Sequence, residues 1–408
     1  MKPITFREID GNSAGYYSLL ALLALIIAAG LGAAWYMEHN GHWVTGMSDQ
    51  VVWGMPHVFA VFLIVAASGV LNVASISSVF GKTAYKPLAP LSGLMAITLL
   101  TGGLMILVLD LGHPDRLIIA MTHYNFKSIF AWNMILYNGF MAIVIIYLWT
   151  IMQRSVNKYT KTVGFFAFLW RLALTTGTGS IFGFIVAREY YDAAIMAPMF
   201  IIMSFSFGLA LFLIVLLATY KWTGRPIGNY IVTRLQKLQG LFVASVLLFV
   251  VIFHLTKLYA TQHHGVEHFI LQGNNVYSGL FWIGYVLLGG IIPLIISYAP
   301  AFRASIGWTV TAAILVVGGG LSQMYVIIIG GQAFPMELFP GKEVTSSFGD
   351  GVVAHYAPSF PEIALGLGGT AVAFAAIMIA IKILRFMPLS LADAQVMPHY
   401  VSQEEASS

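Results

Sequence analysis

The stretch LAPLSGLMAITLLTGGLMILVL, residues 88–109, runs directly into DLGHPDR, residues 110–116. The first part carries no charge over 22 residues. At 1.5 Å per residue a helix of that length covers about 33 Å, enough for a hydrocarbon layer of about 30 Å. The second part puts Asp110, Asp115 and Arg116 within seven residues of a chain in which only 9% of residues are charged. Charges so near a membrane face are costly, so they call for partners or a ligand.

The pattern of residues 88–109 recurs along the chain. Hydrophobic residues make up 59% of 408, and mean hydropathy is +0.85. That excludes a soluble domain and predicts a polytopic membrane protein. We read ten spans at 16–37, 55–79, 88–111, 129–152, 163–187, 194–219, 240–259, 277–298, 306–330 and 361–384. Continuous apolar character with scattered Gly and Pro predicts helices, since barrel strands would alternate. The first span is too long for the core of a cleaved leader and reads as a retained anchor. The fold class expected is all-α, with two four-helix bundles, helices two to five and six to nine, plus two peripheral helices.

Loop charge orients the spans. Fourteen of the 20 Lys and Arg residues fall in loops on the side of both termini, five fall on the opposite side, and Arg171 lies inside a span. The bias predicts both termini in the cytoplasm and supports an even number of spans. The basic pI near 9.0 reflects this topology and no nucleic-acid partner. With no cysteine, the chain offers no thiolate for an iron–sulfur cluster.

Several ionisable groups then belong to the outer leaflet: His57 at the start of the second span, Asp110 at the end of the third, Arg188, Glu189 and Asp192 after the fifth, and His254 near the end of the seventh. Such a set suits a quinone headgroup and its protons. Each residue also has a plainer role. His57 suits an interfacial position after Pro56, and Asp110, Asp115 and Arg116 suit a structural ion cluster. Lys257 is expected to snorkel to the outer interface. His263, His264 and His268 read as solvated loop residues and not as metal ligands. Arg171 suits a proton or water path lined by Asn72 and Asn133, with Asn138 and Gln323 as further candidates. Interhelical hydrogen bonding explains the amides equally well. Gly177–Ser180 and Gly318–Gly320 read as close helix packing. Residues 332–360 form a long outer loop, a candidate docking surface or simple lid.

The segment Leu109–Arg116, followed by Asn125-Phe-Lys-Ser128, Trp132 and Tyr137, resembles the NrfD/polysulfide reductase membrane-subunit family. In that family an Asp-Leu-Gly-Arg-Pro-type loop precedes a Ser and a Trp that open the next helix, and here His113 stands where Arg is usual. The resemblance extends over residues 1–390, through Trp53-Gly54, Arg188 and Tyr356-Ala-Pro-Ser-Phe-Pro-Glu362, leaving 391–408 as a polar cytoplasmic tail. The ten-helix form is most similar to the DsrP-type subunit of a sulfite-reduction-associated complex, and to membrane subunits of some periplasm-facing hydrogenases. The resemblance implies a chain without haem or cluster. It implies a quinone such as menaquinone bound near the outer face, and a periplasmic, ferredoxin-like iron–sulfur subunit docked beside it. Other membrane and haem-containing subunits would complete a redox complex in the cytoplasmic membrane of a bacterium or archaeon. Carried over by position, His57, Asp110, His113, Asp115 and Arg116 would line the quinone pocket, with Arg188 nearby. One departure is Gly177-Thr178, where some relatives have a quinone-contacting Tyr. A secondary transporter, or a haem-b cytochrome clamped by His57 and His254, remain alternatives from other classes.

Overall fold

The computed structural model describes residues 4–336, Phe339, Lys342 and 351–397. Among them ten helices are long and apolar enough to cross a membrane. They are α1 (Ala14–Asn40), α2 (Met55–Ser78), α3 (Thr83–Leu109), α4 (Ile129–Met152) and α5 (Arg154–Gly183), then α6 (Met196–Thr223), α7 (Asn229–Tyr259), α8 (Val276–Tyr298), α9 (Ile306–Ala333) and α10 (Phe360–Ile383). The fold is an all-α polytopic membrane protein, as the apolar runs require.

The helices are apolar on every side, so depth in the bundle, and not an amphipathic stripe, sets their neighbours. The apolar window of α2 is 89% buried and that of α6 78%, against 17% for α1. α2 and α6 therefore form the spine. α2 to α5 pack around one side of it and α6 to α9 around the other, while α1 lies on α10, which packs on α2 and α3. The two halves meet backbone to backbone. A Cβ built at Gly69 would lie 1.5 Å from the Ser204 carbonyl oxygen, and one at Gly208 would lie 2.2 Å from the Val70 nitrogen. Only glycine permits that approach. The glycines singled out in the sequence behave in the same way at Gly179, against the Met196 carbonyl, and at Gly319, against Gly289; Gly318 meets nothing.

The termini lie together. A two-residue strand β1 (Phe6–Arg7) pairs antiparallel with β2 (Met387–Pro388), with Phe6 opposite Pro388. An even number of crossings delivers both ends to one face. The opposite face is the outer face of the sequence reading.

Four expectations need revision, the first being His263, which is buried at 9% exposure and not solvated. α7 begins at Asn229 and not near residue 240, because its charged first turns still bury Ile231, Val232, Leu235 and Gln236. The segment expected to be loose from Leu391 is packed as far as Val396: both residues are fully buried, and residues 398–408 lie outside the described residues. Lys257 does not snorkel. It is 2% exposed and donates from Nζ to the carbonyl oxygens of Glu189 and Asp192, the latter at 3.1 Å, so it ties α7 to the link after α5.

Candidate functional site

Asp110 follows directly on α3, its amide closing the helix on the Ile106 carbonyl at 3.0 Å. Gly112 then takes a left-handed turn, φ 71°, that a side chain would resist, and a Cβ there would crowd the His42 ring at 3.2 Å. The turn sends the following charged residues outward and leaves Asp110 facing in. Its side chain is 1% exposed.

Two imidazoles meet it. His57 Nδ1 lies 3.1 Å from one carboxylate oxygen, and His42 Nε2 lies 3.6 Å from the other. His57 stands in the first turn of α2, and His42 in a short turn, residues 42–44, after α1. The two imidazole side chains are 23% and 31% exposed, so the cluster is a buried acid beneath two partly open bases. None of these four polar atoms has a well-aligned hydrogen bond within the protein. Burial alone pushes the Asp110 carboxyl up, but the contacts and charges of His42 and His57 outweigh it and hold the carboxyl below its ordinary value. The contact with Asp110 in turn raises His42, against partial burial.

The walls are aromatic. Trp53 stacks near His57 at 6.1 Å between centroids, and meets Phe130 and Phe182 edge to face at 6.0 and 5.9 Å. A narrow apolar crevice runs between α1, α3 and α10, lined by Leu31, Met105, Leu109 and Leu365 among others.

The loop that carries His42 and Trp53 is fastened by residues from the far end of the chain. Gln332, 2% exposed, accepts at Oε1 from the amides of Val52 and Trp53, both at 3.0 Å. Its Nε2 donates to the Trp53 and Ile328 carbonyls at 3.0 and 2.7 Å. The fully buried Glu362 accepts from the Gly46 amide at 2.8 Å and from the Tyr356 hydroxyl at 2.6 Å. The same hydroxyl accepts from the Met55 amide at 2.7 Å. Arg188 donates to the carbonyls of Gln50 and Gln332, both at 2.7 Å. It is thus a strut between the loop and α9.

Of the residues chosen from sequence, His57 and Asp110 come together. His113 and Asp115 face each other at 3.6 Å but are 66% and 73% exposed, and Arg116 beside them is exposed too. His254 belongs to a separate cluster in the second half. Its Nδ1 lies 2.6 Å from Glu267 Oε2, enclosed by Tyr190, Phe253 and Phe281. His57 and His254 thus face different carboxylates and different rings. Arg171, fully buried, donates from Nη2 to Asn72 Oδ1 at 2.9 Å and stacks on Phe168 and Phe205. Asn133 is apart from them, donating to the Ile129 and Gly177 carbonyls at 2.9 and 3.0 Å. Sequence reasoning missed His42, Gln332 and the role of Glu362. The available signals were a histidine in the first outer loop, an amide at the end of an apolar span and an acid in the first turn of another. Twelve of the 29 residues of the proposed docking loop, 337–338, 340–341 and 343–350, lie outside the described residues.

Residues 43–336 match the family described as "Polysulphide reductase, NrfD", and the chain belongs to that family. It is 28% identical over 388 residues to the Hdr-like menaquinol oxidoreductase integral membrane subunit of Archaeoglobus fulgidus, covering 94% of this chain and 97% of the relative. It is 22% identical over 404 residues to the menaquinone reductase integral membrane subunit of Nitratidesulfovibrio vulgaris, covering 92% of each. It is also 22% identical over 361 residues to one subunit of the selenate reductase of Mesobacillus selenatarsenatis, covering 78% of this chain and 82% of the relative. All three relatives are subunits of oxidoreductases that assemble from several chains, and the first two are integral membrane subunits by name.

Proposed function

We propose that this chain is the quinone-binding subunit of a membrane redox complex, and that Asp110 with His57 and His42 forms the headgroup site. The observation that carries the reading is the Asp110 cluster, a buried carboxylate under two imidazoles whose polar atoms lack well-aligned partners in the protein. Unspent hydrogen-bonding capacity at a buried acid fits a polar ligand that donates and accepts. A quinone supplies two-electron chemistry coupled to two protons. His57 and His42 orient its oxygens, Asp110 holds or passes a proton at its carboxylate, and Trp53 with Phe130 shields the ring from water. Two of the relatives are named for menaquinol or menaquinone.

Electrons then pass directly between the quinone and an iron–sulfur subunit docked over the same face, which the charge bias makes periplasmic. The cytoplasmic membrane is the matching location, with both termini inside. The motif resemblance connects the complex to dissimilatory sulfur metabolism and to haem-containing neighbour subunits. Arg171 and Asn72 begin a proton or water path from the other leaflet. The buried Nε and Nη1 of Arg171 lack protein partners, a need that water meets.

Replacing His57 by Ala removes one side of the cluster, and a hydrogen bond to a charged group is worth about 1.5–3 kcal/mol. Affinity for a fluorescence-quenching quinol analogue should fall about tenfold or more, with the protein still folded and inserted. Unchanged affinity would remove His57 from the site and the reading with it.

A further inference from the structure

At the terminus-bearing face, a groove of about 1010 Å³ opens between the start of α7, the end of α8 and the segment that leads into α9. Arg234, Lys237 and Arg303 converge on it, among Tyr85, Tyr230 and Tyr298. All three cations are exposed, and none forms an ion pair with a carboxylate among the described residues. Arg234 lies 4.6 Å over the Tyr230 ring. The one acid of the lining, Asp393, is already engaged: its Oδ1 accepts from the Tyr230 amide at 2.9 Å and caps α7.

Arg303 is held there at a structural cost. Ala304 has φ 56°, the one non-glycine residue in the left-handed region among those described. A β-carbon is strained in that conformation, and such strain persists only where surrounding contacts enforce it. Gln236, 2% exposed, supplies them. Its Oε1 accepts from the Ala304 amide at 3.2 Å, and its Nε2 donates to the Ile296 and Phe302 carbonyls at 2.9 and 3.0 Å. A buried amide on α7 thus fixes the turn that brings Arg303 to the same groove as Arg234 and Lys237.

The groove also has an apolar continuation. Leu238 and Leu241 line it one and two turns beyond Arg234 on the same face of α7, and Leu241 is 53% exposed. From Arg234 to Leu241 the helix descends about 10 Å toward the bilayer centre. Cations above and a leucine wall below match a lipid: a phosphate at the rim and acyl chains along the wall. A neighbouring cavity of about 800 Å³ at the same face lacks this character. Its cation, Arg225, donates to the backbone carbonyls of Arg7, Glu8, Met387 and Pro388.

We propose that the Arg234–Lys237–Arg303 groove binds the phosphodiester headgroup of an anionic phospholipid from the leaflet at the terminus-bearing face. The full-length chain in detergent would be titrated with phosphatidylglycerol and, separately, with phosphatidylcholine, and bound lipid counted by native mass spectrometry. Phosphatidylglycerol should bind selectively. Each of Arg234→Gln and Arg303→Gln should weaken it about fivefold and the double variant roughly 25-fold, with phosphatidylcholine unchanged. Lys158→Gln, a cation elsewhere on the same face, should change nothing, and Ala304→Gly, which relieves the strain while keeping the turn, should bind like the parent. A thermal melt identifies any variant that fails to fold. Equal retention in the double variant, or an equal loss in Lys158→Gln, overturns the site. Displacement by glycerol phosphate at the concentration of the lipid would overturn the lipid in favour of a free phosphate.

Discussion

Asp110 is the buried acid of the proposed headgroup site, and its surroundings set a pH dependence with a definite sign. Its carboxyl is lowered in the folded protein, so its contribution to stability is complete above the unfolded carboxylate value of about 3.9 and is lost as pH falls through the folded one. His42 is raised, so its contribution is complete below the unfolded imidazole value of about 6.5 and is lost as pH rises through the folded one. The pair therefore stabilises most between those two unfolded values and weakens on both sides. Because the contact with Asp110 is the leading cause of the His42 shift, Asp110→Asn should abolish the alkaline limb. Melting temperatures of parent and variant in detergent from pH 5 to 9 test this, and an identical alkaline slope in the two would show that the pair is not the cause. His57 and Asp110 were legible in the sequence because ionisable groups stand out at the ends of apolar runs. His42 was not, because nothing in a loop histidine's neighbours in sequence reveals an acid 68 positions away.

At the level of elements, the site is assembled by the loop between α1 and α2 and fastened by α9 and α10. Gln332 holds two amides and one carbonyl of that loop through a single side chain. It reaches them from the end of α9, where the helix widens to a π form over Val326–Gly330 and turns the chain toward Trp53. Gln332→Ala leaves the Val52 and Trp53 amides without that acceptor, at a cost of about 2–4 kcal/mol. If the loop positions the headgroup site, quinol-analogue affinity should fall with stability although Gln332 belongs to another helix. Gln332→Glu keeps both accepted bonds but sets a buried carboxylate oxygen against the Trp53 and Ile328 carbonyls, so it should not recover the affinity. Loss of stability with full affinity in the Ala variant would make the clamp purely structural. These fastenings join residues some 280 and 316 positions apart, so no local pattern carries them. The same blindness explains Lys257, whose backbone acceptors lie 65 and 68 positions upstream.

For the whole molecule, the spans were readable because the bilayer imposes length and apolarity on every crossing, and no tertiary contact competes with that demand. Ends were less readable. α5 and α7 continue about two to three turns past the apolar run at the terminus-bearing face, where charges are tolerated. Two bundles were an expectation, but the shared α2–α6 spine, with its approach at Gly69 and Gly208, was not legible in the sequence. Orientation in the membrane rests on the 14-to-5 bias of Lys and Arg, and a chain with no cysteine offers a direct test, since any introduced thiol is unique. Asn125 and Gln262 are exposed at the Asp110 face, and Ser155 is exposed at the terminus-bearing face. A membrane-impermeant maleimide added to intact spheroplasts should label Asn125→Cys and Gln262→Cys, and should reach Ser155→Cys only after permeabilisation. The reverse pattern would place the Asp110 cluster in the cytoplasm. Under the proposed function, an iron–sulfur partner would then need no export, and protons taken up or released at Asp110 would belong to the cytoplasmic side of the membrane.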